Sequence, residues 1–159
     1  MIGHSVGWVD GRYVAVIGPS EASAAEITQA EAVGRLLAEA GAVVVCGGLG
    51  GVMEAVARGA ATAGGMVVGV LPGRARADAN PHVTVAIATG MGEMRNALIV
   101  RAVDAVVAVG GAYGTLSEIA FALRTGVPVV GLDTWDLDDV IDAPDPEAAV
   151  ALALELASA

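Results

Sequence analysis

The stretch "VDAVVAVGGAYGTLSEIAFALRTG", residues 103–126, decides the fold class of this chain. It opens on "DAVVAVGG" (104–111), a run of Val and Ala without polar alternation. Such a run predicts a strand covered on both faces. Glycines follow, and then "SEIAFALRTG" reads as a helix. Strand, glycine turn and helix form the unit from which parallel sheets are wound. Glycines at that junction let the backbone turn tightly and converge its N–H groups on one point, where the helix dipole also favours an anion.

Outward from this stretch the same unit repeats. "YVAVIG" (13–18), "AVVVCGG" (42–48), "MVVGVLP" (66–72), "VTVAIAT" (83–89) and "VPVVGL" (127–132) read as further strands. Helices are expected over 21–41, 50–65, 91–103 and 145–157, the last with Pro146 in its first turn. "GRARADANPH" (73–82) reads as a polar loop. The alternation predicts a doubly wound, mostly parallel α/β sheet, Rossmann-like, in three α/β/α layers. The expected strand order is 3-2-1-4-5-6, with the switch point between the first and fourth strands. One nucleotide-binding domain is expected over 1–159, with residues 1–11 disordered or adding an edge strand.

Composition narrows the chemistry. The chain has 159 residues, 55% of them hydrophobic, enough for a real core, but only 3% aromatic, so aliphatic side chains fill it. A net charge of −10 argues against nucleic acid or an acidic membrane as partner, so an anionic ligand must be held by local geometry. All eight basic residues are arginines. Without lysine there is no pyridoxal-phosphate Schiff base and no Walker A loop. Cys46 is alone and reads as a small buried hydrophobe. His4 and His82 lack partners at metal-ligand spacing, so no metal and no resident cofactor are expected. No signal peptide or membrane span is apparent, and a cytoplasmic protein is expected.

Ligands of such sheets sit at the carboxyl ends of the strands. Three glycine-bearing loops fall there: "GPSEAS" (18–23), "GGLGGVM" (47–53) and "GGAYGT" (110–115). They nominate Gly18, Ser20, Gly47, Gly48, Gly50, Met53, Gly110, Gly111, Ala112, Tyr113, Gly114 and Thr115 as phosphate- or nucleotide-binding residues. None of the loops is a G-x-G-x-x-G with an acidic residue ending the second strand, so no dinucleotide is indicated. Glu118 carries two readings. Thr115-Leu116-Ser117-Glu118 is a T-x-x-E capping-box pattern, in which the carboxylate accepts from the Thr115 N–H. Alternatively the carboxylate faces the ligand. Arg95, in the first turn of the helix after the fourth strand, opposes the helix dipole. It pairs with Glu93 or a helix neighbour, is solvated, or meets an anionic ligand.

"GGLGGVMEAVARGA" (47–60), "GGMVVGVLPG" (64–73) and "RNALIVRAVDAVVAVGGAYGTLSE" (95–118) together resemble the Lonely Guy family. The resemblance runs from about residue 13 to 132 and is nearer to the subgroup that includes molybdenum-cofactor carriers. It implies a Rossmann-like fold in homodimers or larger even assemblies. In the family's enzymes a P-G-G-x-G-T-x-x-E motif binds the 5′-phosphate and supplies a catalytic glutamate, and an Arg-Lys pair supplies a catalytic arginine. Gly111, Gly114, Thr115 and Glu118 fall on that motif, and Arg95 on the arginine. Gly110 stands at the proline, Ala112 at a glycine, and Asn96 at the lysine, where it joins the implied binding set.

The resemblance implies a nucleoside 5′-monophosphate phosphoribohydrolase that releases free base and ribose 5-phosphate. Glu118 would stabilise the sugar cation or orient water, and Arg95 would position the substrate and keep Glu118 ionised. The alternative it implies is a non-catalytic carrier of a phosphorylated pterin cofactor or a nucleotide. The lysine-decarboxylase label attached to the family does not suit a chain without lysine.

Overall fold

The computed structural model describes residues 11–158. In chain order the elements are β1 (Tyr13–Ile17), α1 (Ala24–Glu39), β2 (Val43–Cys46), α2 (Val52–Thr62), β3 (Val67–Leu71), β4 (Val85–Ala88), α3 (Arg95–Arg101), β5 (Ala105–Val109), α4 (Tyr113–Arg124), β6 (Val129–Leu132), β7 (Ile141–Asp142) and α5 (Pro146–Ala157). Single turns of 3-10 helix stand at Arg76–Asp78 and Gly92–Met94. The calls on residues 1–10, His4 among them, lie outside the described residues.

The strands form one sheet in the order β4-β3-β2-β1-β5-β6-β7, and every neighbouring pair is parallel. The expected order is therefore corrected. The fourth strand does not sit beside the first; it forms the far edge next to β3, and β5 pairs with β1. The reason is burial. All five residues of β5 are buried, whereas no residue of β4 is, and its Val85 and Ile87 are 42% and 48% exposed. A strand covered on both faces belongs at the centre of the sheet. The polar loop after β3 steps to the adjacent edge without an α-helix, and α3 then carries the chain back to β5. The switch point thus falls between β1 and β5. The short, exposed edge strand β7 was not expected from sequence.

Alternation along the strands divides the core into two layers. Val14 and Val16 of β1, Val44 and Cys46 of β2 and Val107 of β5 pack with α1, α2 and α5. Ala15, Ile17, Val45, Val106 and Ala108 pack on the other face with Ile99 and Val100 of α3 and Ile119 and Ala122 of α4. Cys46 is fully buried, and burial pushes its thiol pKa up to about 11, as suits an inert core residue. At α1, Ser23 and Glu26 form a reciprocal capping box, with Ser23 N–H donating to Glu26 Oε2 at 2.8 Å. Asp145 caps α5 ahead of Pro146. Among the described residues no helix is long and apolar enough to cross a membrane.

Candidate functional site

Because the sheet is parallel, the ends of β1, β2, β3 and β5 share one edge. A cleft of about 360 Å³ opens there, lined by residues that follow each of these strands and by the start of α4. Gly18 sits at the switch point: a Cβ there would lie 2.5 Å from the Val109 carbonyl oxygen, so only glycine lets the end of β1 approach β5 so closely. Gly110, with φ +65°, turns the chain out of β5 against the Glu26 carboxylate.

α4 begins at Tyr113, after Ala112 in extended backbone, and no side chain caps it. Its first-turn N–H groups are thus left for a ligand. This start corrects the capping-box reading. Thr115 lies inside the first turn rather than at the cap, is 1% exposed, and its Oγ1 has no hydrogen-bond partner. Glu118 follows one turn later on the same helix face and is 8% exposed. The ion pairs formed among the described residues, Arg35–Glu39 and Arg58–Glu31, do not include it. Burial pushes its pKa up to about 7, with the charge of Arg95 pulling the other way. Burial therefore outweighs the arginine, contrary to the expectation that Arg95 keeps this carboxylate ionised.

Arg95 opens α3 and is itself 8% exposed. Its Nε donates to the Val70 carbonyl at 2.8 Å, one Nη to the Gly47 carbonyl at 3.4 Å, and the other to Asn96 Oδ1. The guanidinium thus ties the ends of β2 and β3 together, next to Met53 Sδ at 4.0 Å. Burial lowers its pKa, and Glu118 is the largest influence raising it. Of the arrangements expected for Arg95, pairing with a helix neighbour is present, to Asn96, whereas the solvated and Glu93-paired ones are not found among the described residues.

Of the residues nominated from sequence, Gly18, Ser20, Gly47, Met53, Arg95, Asn96, Ala112, Gly114, Thr115 and Glu118 line the cleft. Gly48, Gly50, Gly110, Gly111 and Tyr113 do not. Gly48 and Gly110 shape turns behind the wall, both with positive φ. Gly111 backs onto Trp135. Tyr113 is 84% exposed and stacks on Trp135, ring centroids 6.0 Å apart, while the Trp135 indole N–H donates to the Ala112 carbonyl at 3.2 Å. Sequence reading missed Val16, Ile17, Pro19, Leu49, Pro72 and Glu93 as lining residues. Pro19 and Leu49 lay inside the quoted glycine loops, and Pro72 closes a strand at the ligand edge, so position at a strand end was the available signal.

A parallel three-layer sheet with glycine turns around a switch-point cleft defines a Rossmann-like protein, of the class whose fold holds nucleotides and other phosphorylated ligands. Residues 11–157 match the model of the SLOG cluster4 family, and the chain belongs to that family. It is 49% identical over 119 residues to an uncharacterized protein of Archaeoglobus fulgidus, covering 75% of this chain and 78% of that protein. The molybdenum cofactor binding protein of Rippkaea orientalis superposes with a TM-score of 0.87 at 34% identity, over 92% of this chain and 97% of that one. The molybdenum cofactor carrier protein of Chlamydomonas reinhardtii superposes with a TM-score of 0.85 at 31% identity, over 93% and 98%. DNA processing protein A of Helicobacter pylori, described for its single-stranded DNA binding mode, shares the fold at 18% identity and a TM-score of 0.69, over 92% and 82%. The fold thus lends no support to the exclusion of nucleic acid, which rests on net charge alone.

Proposed function

We propose that this cleft binds a phosphorylated heterocyclic small molecule and holds it without turnover, as a carrier of the molybdenum-cofactor kind. The observation that carries the reading is the start of α4, an uncapped helix N-terminus beside a buried Thr115 hydroxyl that lacks a partner. A phosphate placed there receives backbone N–H groups, the helix dipole and the hydroxyl together. The cofactor named for the Rippkaea and Chlamydomonas proteins is cargo in this reading, its phosphate seated at Gly114 and Thr115. Holding is favoured over cleavage by the side chains next to that seat. The Arg95 guanidinium is committed to strand-end carbonyls, and Asn96 supplies no charge. Glu118, with a pKa of about 7, is about half neutral at neutral pH.

A second reading, hydrolysis of a nucleoside 5′-monophosphate, is favoured by Arg95 and Glu118 lining one cleft. In it the ionised fraction of Glu118 stabilises the sugar cation or orients water. One experiment separates the two. The protein is titrated with molybdenum cofactor and with a panel of nucleoside monophosphates, and free base and ribose 5-phosphate are assayed in parallel. Binding without release is the expected result; release by the wild type would turn the assignment to the hydrolase. Gly114→Val is the control. A Cβ at Gly114 meets nothing within 4 Å, so valine fits without a clash, and its bulk on the cleft wall should block the phosphate while the fold is kept.

We also propose an even-numbered oligomer. Val85, Ile87, Met91, Met94 and Leu98 leave a run of exposed apolar side chains along β4, the turn after it and α3. Such a patch on a water-soluble surface favours a cover.

A further inference from the structure

Glu93 lies in the 3-10 turn that leads into α3 and lines the cleft with Leu49, Met53 and Pro72. No ion pair engages it among the described residues. Its sequence neighbour Arg95 feels its charge but spends its N–H groups on Val70, Gly47 and Asn96. A free carboxylate in a cleft that takes a phosphate repels that phosphate unless the ligand's other end offers hydrogen-bond donors to it. An ionised carboxylate only accepts, and its best match is a pair of parallel N–H donors.

Among phosphorylated heterocycles, the 2-amino-4-oxo pyrimidine edge of guanine and of pterins presents that pair, a ring N–H beside an exocyclic amine. Adenine, cytosine and uracil each present a single donor group along the corresponding edge, so none offers two donors side by side. Leu49, Met53 and Pro72 supply apolar surface for the faces of a flat ring. We infer that Glu93 reads this edge, so that the cleft takes a guanine nucleotide or a phosphorylated pterin ahead of adenine, cytosine or uracil nucleotides. The inference rests on the phosphate seat proposed at α4.

The test is isothermal titration of the full chain with ribose 5-phosphate, GMP, AMP and a pterin monophosphate, repeated with Glu93→Gln. Glu93 is exposed on its turn, and circular dichroism checks that the variant folds. GMP or the pterin monophosphate should bind roughly tenfold or more tightly than AMP, the scale of one good bidentate pair. Glu93→Gln should bring them to within about threefold of AMP, because the amide replaces one acceptor with a donor. Comparable AMP binding by the wild type, or a preference that survives Glu93→Gln, would overturn the inference. Ribose 5-phosphate distinguishes the two failures. If it binds and no ring is preferred, only the role of Glu93 is lost; if neither it nor any ring-bearing ligand binds, the phosphate seat falls as well. Whichever of GMP and the pterin binds more tightly identifies the source of the shared edge.

Discussion

Glu118→Gln separates the burial of this carboxylate from any pairing with Arg95. In the folded protein burial raises its pKa to about 7, from an ordinary glutamate value of 4.5 in the unfolded chain. Between those values the native state keeps a proton that the unfolded chain has released, so stability falls as pH rises. Below about pH 4.5 both states are protonated and the side chain contributes no pH dependence. Above about pH 7 both are ionised, and the native state bears the full cost of a buried charge, of order 3 kcal/mol from the gap between the two values. Glutamine keeps the shape and stays neutral throughout.

The variant should therefore match the wild type near pH 4.5, exceed it by about 2 kcal/mol at pH 6, and by about 3 kcal/mol at pH 8. Urea unfolding followed by far-ultraviolet circular dichroism across that range measures the difference, and the other carboxylates, common to both proteins, cancel. About 3 kcal/mol is a large share of the stability of a domain this size, so the effect is measurable. A gap that does not change with pH, or a variant less stable than the wild type at pH 8, would show that Arg95 pairs with the ionised carboxylate and would refute the reasoning.

Thr115→Val keeps the side-chain shape and removes a buried hydroxyl that has no partner. It should raise stability by about 1 kcal/mol in the absence of ligand, while weakening phosphate binding several-fold. Loss of stability in denaturant titration would mean that the hydroxyl is already satisfied within the fold. Light scattering at micromolar concentration should give an even multiple of the chain mass, and Met94→Asp, at a side chain 72% exposed on the apolar run, should shift it to the monomer. A monomeric wild type would remove the oligomer proposal.

By itself the sequence determined the kinds of element and the edge at which the site lies. Unbroken Val and Ala runs make strands covered on both faces, and glycines after three of them make turns that leave N–H groups free; both are local effects, readable a few residues at a time. Motif spacing likewise brought out Arg95, Thr115 and Glu118. Strand order was decided only in three dimensions. "VTVAIAT" and "DAVVAVGG" look alike as apolar runs, yet one lies at the edge and the other at the centre, because helices enough to cover both faces exist only over β5. The roles of the charged pair were decided there too. The carbonyls that hold Arg95 lie 25 and 48 residues away in sequence, at strand ends that meet only once the sheet has formed. The same assembly buries Glu118, and that burial, which no local pattern encodes, outweighs the neighbouring arginine and sets its charge near neutral pH.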